Sequence, residues 1–188
     1  MLIYIHGFNS SPASFKAKVL HDRLAAAGRA HEFAAPALPH SPAAAAQMLE
    51  ALARRHPGAA LVGSSLGGFY ATWLAERLAL RAVLVNPAVR PYELLAGHVG
   101  RQQNFHSGEQ YDFTLAHVAE LRALEVAAID PARYFLLVET GDEVLDFRQA
   151  VEKYRGARQL VIQGGDHGFS DFANHVDAVM DFCDAPPG

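Results

Sequence analysis

The sequence predicts an α/β fold: a doubly wound, mostly parallel sheet of about six strands with helices on both faces. Three observations carry this expectation. Short apolar runs recur at residues 2–5, 59–62, 82–85, 135–138 and 159–162, each of strand length and bounded by turn residues. Between most of them lie stretches with apolar positions at helical spacing, the alternation from which parallel sheets are built. Each strand also empties into a loop of glycine and small polar residues, where such sheets place their chemistry.

The first strand, Leu2–Ile5, runs into His6-Gly7-Phe8-Asn9-Ser10-Ser11-Pro12. Pro12 and Ser14 prepare a helix whose expected inner face is Phe15, Val19, Leu20, Leu24 and Ala27, stopped by Gly28. Residues 31–35 read as a weak second strand among prolines. Ser41 then caps, and Pro42 starts, a helix with Ala45, Met48, Leu49 and Leu52 on one side.

The strand at 59–62 leads to Gly63-Ser64-Ser65-Leu66-Gly67 and directly into a helix bearing Phe69, Tyr70, Trp73, Leu74 and Leu78, aromatic and apolar residues expected to be buried. A parallel strand that turns straight into its helix leaves no room for side chains on both flanks, so Gly63 and Gly67 give space and Ser65 stands at the apex. This is the pattern of a nucleophile elbow. It exposes the Ser65 hydroxyl above the carboxyl edge of the sheet. It also aims the Leu66 backbone N–H, free at the helix start, at an oxyanion.

Residues 82–85 form the next strand, closed by Asn86-Pro87. Residues 88–133 break the rhythm: no strand is evident, Gly97, Gly100 and Gly108 interrupt them, and one helix is expected at 115–126. A segment of this length within one compact domain, 1–188, reads as a helical cap or lid insertion. Phe105, Tyr111 and Phe113 either line an acyl pocket under it or form its own small core. Residues 135–138 resume the sheet and lead to Thr140-Gly141-Asp142-Glu143. A helical stripe of Phe147, Ala150, Val151 and Tyr154 follows. The strand at 159–162 empties into Gly164-Gly165-Asp166-His167-Gly168, and a last helix presents Phe172, Val176, Val179, Met180 and Cys183 to the sheet.

Bulk composition removes several classes of function. With 51% hydrophobic and 19% charged residues the chain can bury a substantial core, so disorder is not expected. A formal charge of −4 without a Lys/Arg cluster offers no footprint for nucleic acid or an anionic membrane. No run approaches a membrane span, and the chain opens on a strand rather than a leader, so a soluble, untargeted protein is expected. The single Cys183 allows no internal disulfide and fits the reducing cytoplasm.

Four of the loops that follow strands carry the polar chemistry, through His6-Gly7-Phe8, Ser65, Asp142 and His167, and a parallel sheet brings them to one edge. The order Ser, Asp, His along the chain is that of α/β-hydrolases. A serine hydroxyl is a poor nucleophile until a base takes its proton; His167 can do so if a carboxylate fixes its tautomer. Asp142 suits that task, at the point where its strand leaves the sheet. Asp146 is the alternative, although its place before Phe147 suits a helix cap. The Phe8 backbone N–H would be the second oxyanion donor beside Leu66. His6 is read as shaping that loop rather than as a base.

These motifs carry a resemblance. His6-Gly7-Phe8-Asn9-Ser10-Ser11-Pro12, Gly63-Ser64-Ser65-Leu66-Gly67-Gly68, Asn86-Pro87-Ala88-Val89-Arg90-Pro91 and Thr140-Gly141-Asp142-Glu143-Val144-Leu145-Asp146 are similar to the YqiA-like bacterial esterases, over nearly the whole chain. The resemblance implies a minimal α/β-hydrolase that cleaves carboxylic esters and acyl-CoA thioesters, with Ser65, Asp142 and His167 as its triad. One position departs from it: Asp166 stands where Asn is expected, which bears on the local field and so on the pH optimum.

The expectation is thus a serine hydrolase acting on a small-molecule acyl ester or thioester, without cofactor. No His-x-His or His-x-x-x-His spacing suggests a metal. Two rivals are a non-catalytic binding module on the same fold and a nucleotide binder. The second lacks both Gly-x-Gly-x-x-Gly and Gly-x4-Gly-Lys-Ser/Thr. Acyl length and oligomeric state are not encoded in any motif.

Overall fold

The computed structural model describes residues 1–185. In chain order these form β1 (Leu2–Ile5), α1 (Phe15–Ala26), β2 (Phe33–Ala34), α2 (Pro42–Arg54), β3 (Ala60–Ser64), α3 (Leu66–Leu78) and β4 (Arg81–Val85). There follow α4 (Pro91–Leu95), β5 (Gly100–Gln103), β6 (Gln110–Phe113), α5 (Leu115–Ala123), β7 (Tyr134–Glu139), α6 (Phe147–Lys153), β8 (Arg158–Ile162) and α7 (Val176–Asp184).

The main sheet has the order β2-β1-β3-β4-β7-β8, with every neighbouring pair parallel. The expected fold class is therefore observed. Strand order reverses between β1 and β3, so the loops leaving those two strands diverge and open a crevice at the carboxyl edge.

Alternation along the strands sends side chains to two cores. Ile3, Ile5, Leu61, Leu84 and Leu136 face Leu49 of α2, Phe69 and Leu74 of α3 and Tyr154. Leu2, Tyr4, Val62, Val83 and Leu137 face Leu20 and Leu24 of α1 and Val179 and Met180 of α7. Helix starts follow the expected chemistry in α2, where the Ser41 side chain accepts the Ala44 N–H at 3.2 Å and Pro42 occupies the first turn.

Three expectations need correction. In α1 it is Lys16, not Phe15, that turns inward: Phe15 is half exposed, whereas Lys16 is buried because its ammonium donates to the Gly168 carbonyl. Trp73 is only half-buried, with the Arg77 guanidinium 4.8 Å from its ring centre. Residues 88–133 are not free of strands: β5 and β6 pair antiparallel, from Gly100 opposite Phe113 to Gln103 opposite Gln110. Short helices, among them α4 and α5, flank this hairpin, and residues 104–109 and 124–130 are irregular. The insertion is anchored in the first core by Tyr92, Leu95, Phe113 and Leu121, all buried, while Phe105, at the far end of the hairpin, is 81% exposed.

Candidate active site

Ser65 occupies the junction of β3 and α3 with φ 55° and ψ −121°, a backbone conformation that a side chain tolerates only under constraint. The constraint is visible on both sides of the residue. Ser65 N–H donates to the Val85 carbonyl at 3.1 Å, and the Ser65 carbonyl accepts from Gly68 and Ala88 at 2.9 and 3.1 Å. Gly67 cannot be replaced cheaply, since a β-carbon there would collide with the Ile5 carbonyl oxygen. The turn is therefore held against β1 as well as β4.

His167 reaches the same point from the loop after β8. Its Nε2 lies 3.0 Å from Ser65 Oγ, and its Nδ1 lies 2.8 Å from Asp142 Oδ2. A carboxylate only accepts, so Nδ1 carries the hydrogen and Nε2 is left to accept from the serine hydroxyl. The Asp142 side chain is 1% exposed, and its Oδ1 accepts the backbone N–H groups of Val144 and Leu145 at 2.9 and 2.8 Å. These bonds fix the carboxylate plane toward the imidazole. The carboxyl of Glu143 accepts the His167 backbone N–H at 3.0 Å.

Asp146 lies elsewhere. It caps α6, accepting the Arg148 N–H at 3.1 Å and pairing with the Arg148 guanidinium at 2.7 Å, which holds its carboxyl below the usual range.

Leu66 is the first residue of α3, where a helix leaves its N–H groups without intrahelical acceptors. Phe8 lies in the loop after β1, and this loop closes onto the elbow because Gly7 has no side chain: a β-carbon there would sit 3.2 Å from Ser65 Cβ. His6 supports the loop from below. Its Nδ1 lies 3.0 Å from the Gly7 carbonyl and its Nε2 accepts the Leu38 N–H at 3.4 Å, so both nitrogens are engaged. Burial lowers its pKa and keeps the ring neutral.

The far side of this loop is tied to the hairpin through Asn9, a buried residue at φ 54°. The Tyr111 hydroxyl donates to Asn9 Oδ1 at 2.7 Å, Asn9 Nδ2 donates to Gln102 Oε1 at 3.1 Å, and the Phe105 N–H donates to the Asn9 carbonyl at 2.9 Å. Sequence reasoning missed this role of Asn9. The available signal was an Asn directly after Gly-Phe in a loop, a residue type suited to left-handed backbone.

Beneath His167 is a cluster of buried charge. Glu139, at the end of β7, accepts the Asp166 N–H at 2.9 Å and is 2% exposed. Burial first, then the neighbouring Asp171 and Asp166 carboxyls, raise its pKa, against the lowering effect of that N–H. Asp166 thus stands beside two further acids, Glu139 and Asp171. Burial also lowers the Lys16 pKa, opposed by the negative charges of Asp166 and Glu139.

Two clefts lie beside the loops that form the site, and neither is lined by Ser65, Asp142 or His167. One of about 230 Å³ lies between Pro87, Ala88, Arg90 and Leu94 on one wall and Val144 and Leu145 on the other. A second, of about 640 Å³, lies between Ser10, Pro12, Leu38, His40, Asn104 and His106. Among the described residues no group of three or more His, Cys, Asp or Glu side chains is arranged to hold a metal.

Known proteins match this architecture across most of the chain. A protein of known structure from Agrobacterium vitis S4 aligns with a TM-score of 0.74 at 20% identity, covering 97% of this chain and 87% of its own. Alpha/beta hydrolase domain-containing protein 10 from mouse aligns with a TM-score of 0.69 at 16% identity, covering 96% and 89%. A thermophilic esterase from Thermogutta terrifontis aligns with a TM-score of 0.69 at 15% identity, covering 96% and 88%. At these identities the likeness is one of fold, and the fold is that of α/β-hydrolases. The family described as "Uncharacterised protein family (UPF0227)" matches residues 1–184, in agreement with the YqiA-like resemblance, and the chain belongs to it.

Proposed function

We propose that this member of the UPF0227 family is a serine esterase, cleaving carboxylic esters and acyl-CoA thioesters through an acyl-enzyme on Ser65. The observation that carries the proposal is the hydrogen-bonded chain from Ser65 Oγ through His167 to Asp142. In the first half-reaction His167 Nε2 takes the hydroxyl proton as Ser65 Oγ attacks the acyl carbon. The negative charge passes to the former carbonyl oxygen, facing the Phe8 and Leu66 N–H groups. Collapse of this intermediate breaks the bond to the alcohol or thiol, which leaves with the proton from His167. In the second half, His167 takes a proton from water as it attacks the acyl-serine, then returns that proton to Ser65 Oγ as the bond from Oγ to the acyl carbon breaks and the carboxylic acid leaves.

The hydrolase and esterase names of the structural neighbours support the reaction class; the thioester branch rests on the family resemblance alone. No cofactor enters this reaction, and the proposed partner is a small acyl substrate. Residues 88–133 are proposed as the cap that bounds the acyl group within the single domain. A cytoplasmic location is part of the same proposal. It is supported by the lone Cys183, which allows no internal disulfide. No described helix is long and apolar enough to cross a membrane.

The test is a fluorophosphonate probe followed by mapping of the modified residue, then a panel of aryl esters and acyl-CoA thioesters of graded chain length. Labelling is expected on Ser65, and Ser65→Ala is expected to lose it together with several orders of magnitude of turnover. Full labelling of Ser65→Ala would reject the assignment. An intact, labelled protein that turns over no member of the panel would favour a binding module instead.

A further inference from the structure

We infer that Asn86 is a positioning residue for His167, an inference that rests on the triad reading above. Asn86 follows β4, on the opposite side of β7 from the His167 loop, and its side chain is buried. Its Nδ2 donates to the Asp166 carbonyl at 3.0 Å and to the His167 carbonyl at 3.3 Å. Its Oδ1 accepts the Glu139 N–H at 3.0 Å. One amide therefore joins the ends of β4 and β7 to the loop that carries the base.

The loop needs such a tie. It leaves β8, the edge strand of the sheet, so only one side of it has a neighbouring strand to lean on. It also passes through Gly164 and Gly165, both at positive φ. Elsewhere its ends are tied at Gly164, to Thr140 Oγ1 and the Gly141 N–H, and at Gly168, whose carbonyl accepts from Lys16, while the Asp166 and His167 N–H groups donate to Glu139 and Glu143. Among the described residues Asn86 is the one that bonds the carbonyl of His167 itself, and with that carbonyl it holds the origin of the imidazole.

Only a primary amide meets the demands of the position. Backbone carbonyls accept and the Glu139 N–H donates, so the residue must offer donors and an acceptor from one short side chain. A carboxylate would set an oxygen against two carbonyl oxygens. An apolar side chain would strand the Glu139 N–H and the His167 carbonyl, and leave the Asp166 carbonyl with the Phe169 N–H alone. The backbone asks for the same residue type: Asn86 stands at φ 41°, a region where Asn is enriched. Its backbone N–H donates to the Leu137 carbonyl at 2.9 Å, so the anchor itself is fixed to β7.

The consequence for the reaction is geometric. His167 Nε2 must stay near 3.0 Å from Ser65 Oγ, and displacing it by about 1 Å costs on the order of 10²-fold in rate. The experiment compares wild type with Asn86→Gly, which accepts the left-handed backbone and removes the amide, and Asn86→Asp, which keeps shape and acceptor but loses the donors. Three quantities are read: thermal stability, kcat and KM on one aryl ester, and the low-field proton resonance of His167 Nδ1–H in the resting protein. Both variants are expected to fold, with kcat down about 10²-fold, KM little changed, and the resonance broadened or lost through faster exchange. A lower Tm with kcat and the resonance intact would make Asn86 merely structural and overturn the inference. If Asn86→Gly does not fold, Asn86→Asp decides on the same readings; if neither folds, Asn86 is a folding determinant and the inference fails. The resonance does not depend on turnover, so loss of the esterase reading through full labelling of Ser65→Ala is a separate outcome.

Discussion

Asp142 Oδ2 lies 2.8 Å from His167 Nδ1, although 25 positions separate the two residues in the chain. The carboxylate that meets the histidine ring is the one at the mouth of β7, and the neighbouring Asp146 caps the start of α6. Asp142→Asn is expected to lower kcat by roughly 10³ to 10⁴ by presenting the wrong hydrogen-bonding group to Nδ1. Asp146→Asn should leave kcat unchanged and cost a small amount of thermal stability. Steady-state kinetics of the two variants side by side decides between them, and an inactive Asp146→Asn would move the role.

The elbow should tolerate no side chain at Gly67. Gly67→Val is expected to lose activity and about 3 kcal/mol or more of stability, because its β-carbon meets the carbonyl of Ile5 rather than a movable side chain. Phe8→Leu acts at a position used through its backbone and should retain most activity. Urea denaturation with kinetics on the folded variants checks both, and a stable, active Gly67→Val would mean that the turn is looser than described.

Hydrogen bonding of the hairpin to Asn9 predicts a split between two aromatic substitutions. Burial pushes the Tyr111 hydroxyl up to about 12, so it remains a donor through any ordinary assay range. Tyr111→Phe removes the 2.7 Å bond to Asn9 and should lower kcat across the whole ester panel by loosening the Phe8 loop. Phe105→Ala, at an exposed position, should leave kcat and chain-length preference alone. The opposite pattern would return Phe105 to the acyl pocket.

The acids beneath His167 predict a pH effect on stability. Folding raises the Glu139 pKa, so the folded state holds that proton more tightly than the unfolded chain. The associated stabilisation is complete below the ordinary glutamate range and is lost as pH rises toward the raised value. Asp171 Oδ1, buried and lacking a donor, faces this cluster, with Lys16, Asp166 and His175 as the other titratable neighbours. Glu139→Gln keeps an acceptor for the Asp166 N–H and adds a permanent donor. Its Tm should therefore decline less than that of wild type between mildly acidic and mildly alkaline buffer. A parallel decline in both proteins would remove Glu139 as the source.

What the sequence made legible follows from which forces are local. Strands such as 82–85 are apolar on both faces, and the elbow is a steric statement written in Gly63, Ser65 and Gly67, so both can be read without knowing their neighbours. The three side chains singled out for chemistry follow strands whose loops must share an edge, and the fold brings them within hydrogen-bond reach. The hairpin escaped notice because Gly100-Arg101-Gln102-Gln103 carries no apolar residue and the alternation of Tyr111 and Phe113 in Gln110–Phe113 is only two residues long, and its placement depends on side-chain bonds to Asn9 and Ser10. Lys16 and Asn86 were opaque for the same reason. Their burial depends on carbonyl groups supplied by residues 166–168, far along the chain.

The bonds between Asn9 and the hairpin also bear on how this fold can be rebuilt. A graft that exchanges residues 100–113 for another hairpin, to admit a different acyl group, would at once remove the partners of Asn9 and release the backbone that carries Phe8. On the proposed esterase reading, substrate range and catalytic power are therefore not separate modules. The loop after β1 and the hairpin are one inheritable unit, and a chimera should carry both across the junction together.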